Sequence, residues 1–155
     1  MARAQRGEAG YPHPMKIAEW DTTSGAGAIV QDQLSELGAE EYAAHVAVSP
    51  ANGRLRILVA TDVGLLDYHY QPSGADPSGP WSLRSELHRW AGVRGLRLQT
   101  EAQIEEGDQT VKARWIWRFV AEEPKIDLAA ESTASGEHAP GAVLPLARTC
   151  FEHAR

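Results

Sequence analysis

The sequence predicts a mainly β, α+β domain: a seven-stranded antiparallel barrel or sandwich with a C-terminal capping helix and an extra helix before the first strand. Three observations carry that expectation. Apolar residues recur at every second position through most of 41–131, as half-buried strands require. Clusters of Gly, Pro, Asn and Asp interrupt that stretch at hairpin spacing. Helical periodicity is confined to the two ends.

Residues 1–14 are rich in Ala, Arg, Gly and Pro without periodicity and read as a flexible tail; Met15 opens a single domain over 15–155, and is an alternative start. A helix is predicted over 22–38. Thr23 or Ser24 would cap it, Val30, Leu34 and Leu37 share a face, and Gly38 stops it. The period then changes to two. Tyr42, Ala44, Val46 and Val48 alternate with Ala43, His45 and Ala47 in a first strand. Asn52-Gly53 is a hairpin turn, leading to a second strand over 54–61 with Leu55, Ile57 and Val59 on one face. Asp62-Val63-Gly64 turns the chain into a third, where Leu66, Tyr68 and Tyr70 oppose Leu65, Asp67 and His69.

The proline-rich stretch 72–80 is a loop. A fourth strand over 81–90 is expected to turn Trp81, Leu83 and Leu87 inward. Leu96, Leu98, Thr100, Ala102 and Ile104 mark a fifth, and Gly107-Asp108 the turn after it. The sixth has the cleanest alternation: Val111, Ala113, Trp115, Trp117 and Phe119 face one way, Lys112, Arg114, Ile116 and Arg118 the other, with Pro124 beyond its end. Ile126, Leu128 and Ala130 form a seventh, and 132–140 a loop. Val143, Ala147, Cys150 and Phe151 then share one helical face, and Pro145 is expected to shorten that last helix to 146–155.

Bulk properties narrow the classes of function. A chain of 155 residues suits one core, and 43% apolar with 23% charged residues is ordinary globular composition. The net charge of −6 argues against a nucleic-acid partner, because phosphate neutralisation needs a basic surface. No run approaches the ~20 apolar residues of a membrane span. Arg3 and Arg6 have no apolar stretch behind them, so a secretory signal is not expected and cytoplasmic residence is. Cys150 is the single cysteine; it excludes an internal disulfide and reads as a small buried hydrophobe.

Seven consecutive strands followed by a helix is the order of the pleckstrin-homology (PH)-like superfold. The stretch Leu55-Arg-Ile-Leu-Val-Ala-Thr-Asp-Val-Gly-Leu-Leu-Asp-Tyr-His-Tyr70 resembles the hairpin of bacterial PH-like and GRAM-type domains, in which apolar residues lead into Thr-Asp-x-Gly-Leu. The resemblance covers about 41–155 and departs in two places, the helix before the first strand and Pro145. It implies a binding or scaffolding module, in some members for phosphoinositides or peptides. Members that grip phosphoinositides carry Lys or Arg on the first two strands; here the first strand has none and only Arg54 and Arg56 follow, so a membrane lipid is not the expected partner.

His45, Asp67 and His69 fall on one face of neighbouring strands, and His88 lies within reach on the fourth. Such a set holds metal in some proteins, but its spacing matches no ligand signature, and solvated or hydrogen-bonded histidines are the expectation. Lys112, Arg114 and Arg118 make a basic stripe, near Arg97, Glu86 and Glu101 if those lie on adjacent strands. Ion pairing across strands accounts for it, and an anion or acidic-peptide site is the sharper alternative. Of the five tryptophans, Trp115 and Trp117 are expected in the core, while Trp20 and Trp90 are either packed against loops or form a protein-binding patch.

No nucleophile elbow, phosphate-binding loop or zinc-protease motif is present, so no catalytic residue, metal or cofactor is assigned. The expected function is a noncatalytic interaction module for a protein or peptide partner, with Lys112, Arg114, Arg118, Trp90 and His69 as binding residues. A small-ligand barrel is the alternative, and an enzyme built on His45, His69 or His88 a third. Homodimerisation through an exposed edge strand or tryptophan contact is a further expectation.

Overall fold

A computed structural model describes residues 15–20, 25–48, 54–72, 81–107, 111–132 and 143–154. Seven strands follow one another: β1 (Glu41–Val48), β2 (Leu55–Thr61), β3 (Leu65–Pro72), β4 (Trp81–His88), β5 (Arg97–Glu106), β6 (Val111–Ala121) and β7 (Ile126–Ser132). Helix α1 (Ala26–Leu37) precedes them and α2 (Leu144–His153) follows. Every strand pairs antiparallel with its sequence neighbour, except that the chain breaks between β4 and β5 into two sheets, β1-β2-β3-β4 and β5-β6-β7. The mainly β expectation holds, with helices at both ends. The barrel does not: the strands form two sheets that are not closed on each other.

The larger sheet has two covered faces, which explains why β2 is buried at nearly every position. On one face Leu55, Ile57, Val59, Leu66, Tyr68 and Tyr70 pack with Ala26, Val30 and Leu34 of α1. On the other, Leu58, Ala60 and Leu65 join Phe119, Ala121, Ile126 and Leu128 of the smaller sheet and Val143, Leu146, Ala147 and Cys150 of α2. The layers therefore run α1, four-stranded sheet, then three-stranded sheet with α2.

Helix α1 begins later than the predicted 22–38. Gly25 occupies its N-cap position in a left-handed conformation without a side-chain cap, and Gly38, at φ 63°, ends it with its N–H turned back to the Leu34 and Ser35 carbonyls. Positions 23 and 24, the expected caps, lie outside the described residues. Pro145 does not shorten α2. It falls in the first helical turn, where its missing N–H has no helical acceptor to lose.

The Thr61-Asp62-Val63-Gly64 turn is closed by its own hydroxyl. Thr61 Oγ1 donates to the Gly64 carbonyl at 2.8 Å and accepts the N–H groups of Val63 and Gly64, each at 3.2 Å. Asp62 Oδ1 accepts the Glu40 N–H at 2.8 Å, tying the turn to the start of β1. A register shift between Glu41 and Ala43 takes Tyr42 out of the β1 alternation, and its ring stacks on His153 of α2 at 4.9 Å instead.

Four core assignments are corrected. Trp81 and Leu87 are not inward but 36% and 42% exposed, because β4 is an edge strand on which α1 meets Leu83 and Ser85 but leaves the two ends open. Trp115 is 42% exposed: the core reaches along β6 through Phe119 to half-buried Trp117 and stops. Phe151 stands at 39% exposure on the rim of α2, its ring edge-on to Phe119. Cys150 is fully buried as expected, and burial pushes its thiol up to about 12.

Candidate binding cleft between the sheets

Antiparallel register brings distant residues into rows. Ala47, Arg56, His69 and Arg84 lie directly opposite one another across β1, β2, β3 and β4. The adjacent row on the same face is His45, Leu58, Asp67 and Glu86. This face is the one turned toward the smaller sheet, and β7 supplies a facing wall of Asp127 and Leu128. The result is a cleft of about 370 Å³ whose lining includes Arg54, Arg56 and Arg84, with His69 beside them. Ala47 keeps its floor low at the β1 end.

Asp67 is the electrostatic anchor. Only 4% exposed, it takes a bidentate guanidinium from Arg56, Nε to Oδ1 at 3.0 Å and Nη2 to Oδ2 at 2.8 Å. The fork geometry fixes the Arg56 plane as well as its charge. Arg56 Nη2 also donates to the Lys125 carbonyl at 2.7 Å, so the same side chain bridges the larger sheet to the turn before β7. His69 Nε2 stands 3.3 Å from Asp67 Oδ1 while half of its side chain remains in solvent. One carboxylate thus organises a guanidinium and an imidazole, and Arg54 and Arg84 add charge at an exposed rim.

Asp127 does not offset that charge, because it is already held. Arg118 Nε and Nη2 reach its two oxygens at 2.6 Å each. Hydrogen bonding from Arg118 pulls the Asp127 carboxyl below its ordinary value, and the same bond raises the guanidinium. The cleft therefore carries a surplus of positive charge in a chain whose net charge is negative.

The structure separates the residues singled out by sequence. His69 and Asp67 do meet, in the cleft. His45 instead lies edge-on to Trp20, ring centroids 5.3 Å apart, and His88 stands 3.9 Å from Glu86 at the other end of the sheet. Among the described residues no three His, Cys, Asp or Glu groups are placed to hold a metal. Arg118 belongs to the outer face of the smaller sheet, paired with Asp127; Glu86 is on the larger sheet and so is not its neighbour. The side chains of Lys112 and Arg114 lie outside the described residues. Trp90 is partly buried, donates from Nε1 to the Thr61 carbonyl at 2.9 Å and stacks near His153. Trp20 donates to the Ala44 carbonyl at 3.1 Å. Both tryptophans of the imagined patch are thus hydrogen-bonded into the fold.

Arg84 was not among the residues that the sequence marked. Its signal was available only through register, since two hairpin turns must be counted correctly before Arg56, His69 and Arg84 align. No protein-family model, curated protein or solved structure matches the chain. Among the described residues, no helix is long and apolar enough to cross a membrane.

Proposed function

We propose that the chain is a noncatalytic interaction module of PH-like architecture, and that the cleft between its sheets takes an acidic segment of a protein or peptide partner. The observation that carries this reading is one cleft lined by Arg54, Arg56, Arg84 and His69, with Arg56 and His69 also meeting the buried Asp67. Guanidinium groups present planar forks that match carboxylates, and a group already locked by Asp67 and the Lys125 carbonyl loses little freedom on binding. Four strands, three strands and a terminal helix agree with the PH-like order, with α1 as an addition over the opposite face. The noncatalytic part is supported by how the reactive groups are engaged: Asp67 is committed to Arg56, and the Cys150 thiol is buried and held neutral by desolvation.

A fluorescein-labelled oligo-glutamate peptide, titrated against the full chain and read by anisotropy, tests the reading. Binding that weakens with salt and is lost in an Arg54→Ala/Arg84→Ala variant is expected. Equal binding of an oligo-lysine control, or of oligo-glutamate by the double variant, overturns it.

A further inference from the structure

Among the described residues, strand β5 is an edge whose protection is confined to its charged side chains. It runs for ten residues from Arg97 to Glu106 and, among the described residues, pairs only with β6. Natural edge strands are kept from pairing by prolines, lysines, bulges, shortness or a covering element. Arg-Leu-Gln-Thr-Glu-Ala-Gln-Ile-Glu-Glu contains no proline, lysine or glycine, and its pairing with β6 runs without a register shift from Arg97 opposite Val120 to Glu106 opposite Val111. Beyond the core, its inner face continues as Ala102 and Ile104, with Trp115 opposite Ala102 on β6. Ile104 is 62% exposed and Trp115 42%, so an apolar strip extends past the end of the packed layers.

We propose that this edge is occupied by the β5 of a second copy of the chain, in antiparallel register about a two-fold axis at Glu101. Charge selects the occupant. The strand has its cation at one end, Arg97, and Glu105 and Glu106 at the other, so an antiparallel copy sets opposite charges against each other twice. A two-fold axis normal to the sheet keeps like faces together, which restricts registers to steps of two. With Glu101 on the axis, Arg97 faces Glu105 and Leu98 faces Ile104, each pair occurring twice; Thr100 faces Ala102 and Gln99 faces Gln103. Ile104 is then covered by an aliphatic side chain in place of water. Sliding by one step breaks this agreement. With Ala102 on the axis, Arg97 has passed beyond the acidic end; with Thr100 on it, Arg97 meets Gln103 and Leu98 meets Ala102. The chosen register has one unfavourable contact, Glu101 with its own copy. The β5–β5 interface in the resulting six-stranded sheet uses no residue of the arginine cleft, so the two readings fail independently.

Sedimentation velocity of the full chain at low salt, from micromolar to near-millimolar concentration, tests the proposal. A reversible monomer–dimer equilibrium is expected. Arg97→Glu and Glu105→Arg, each at an exposed position, should weaken it at least about tenfold, since each reversal turns two attractive contacts repulsive. The double variant Arg97→Glu/Glu105→Arg restores the opposite-charge contacts and should recover the original association, while Glu101→Gln should tighten it. A chain that stays monomeric throughout, or a dimer indifferent to the single reversals or not rescued by the double one, overturns the proposal.

Discussion

Replacing Tyr68 by phenylalanine should make this protein more stable. Tyr68 is 1% exposed, enclosed between β3 and α1 with Leu66 and Tyr70 beside it on the same face, and its hydroxyl has no hydrogen-bond partner among the described residues. A hydroxyl taken from water without a partner costs about 1–3 kcal/mol. The ring itself fills the space and remains in Tyr68→Phe, so only a small void is opened against that gain. The net expectation is a stabilisation of about 1 kcal/mol. Urea unfolding followed by tryptophan fluorescence reads it directly: with a slope of about 2 kcal/mol per molar urea, the midpoint rises by about 0.5 M.

The same variant has a signature in alkali. Burial, with Glu41 adding to it, pushes the Tyr68 phenol from 10.0 to about 12. Above pH 10 the unfolded chain releases this proton while the folded one keeps it, so native stability falls between pH 10 and about 12 and is unaffected below that window. Tyr68→Phe removes this contribution and flattens the alkaline limb. A midpoint that drops in the variant, or an alkaline limb that is unchanged, would refute the claim that the hydroxyl is buried without a partner.

Three further outcomes follow from the same kind of accounting. The Cys150 thiol, pushed up to about 12, should stay unlabelled by a thiol reagent at pH 8 and react once in urea; stoichiometric labelling of the native chain would contradict its burial. Arg56→Ala leaves the 5%-exposed Asp67 side chain with only His69 beside it, and should lower unfolding stability by about 2–3 kcal/mol, with a loss below about 1 kcal/mol counting against the anchor role. Gly64→Ala sets a Cβ against the His88 carbonyl oxygen at a φ of 153°, so its melting temperature should fall by roughly 5 °C or more, and an unchanged melting temperature would show that the turn yields.

Alternation along the chain was enough to find all seven strands, because a strand that buries one face must repeat every two residues. It could assign faces, but not how far a face is covered. Along β6, Phe119 is fully buried, Trp117 half-buried and Trp115 exposed, although all three share one side. Covering depends on where the other sheet and α2 end, which is a property of layers rather than of any one strand. The same reason defeated β4. Trp81, Leu83 and Leu87 have the spacing of an inward face, and register puts them on the α1 side of the sheet, yet of the three only Leu83 joins the core packed under α1; Trp81 finds the ring of Tyr70 at 5.1 Å instead. In the cleft, the pair Asp67 and His69 was visible because they are two residues apart. Arg56 was recognisable only as a basic residue on β2, since nothing local shows that it lies across from His69.

Position within the layers, more than residue type, separates the cleft from the charges of the smaller sheet. Arg118 and Asp127 make shorter contacts than Arg56 and Asp67, yet each has a side chain about half in water, where screening and side-chain entropy leave an ion pair with little net effect. Asp67 sits on a sheet whose two faces are both covered, where Arg56 pairs with it in a fixed geometry. A structural pair would be complete at that point. Here the row continues past it to His69 and Arg84, neither of which Asp67 needs for neutrality. On the proposed reading, a cation beyond what the buried carboxylate requires serves an external anion, and Arg84→Ala should then leave folding intact while weakening attraction for acidic peptide.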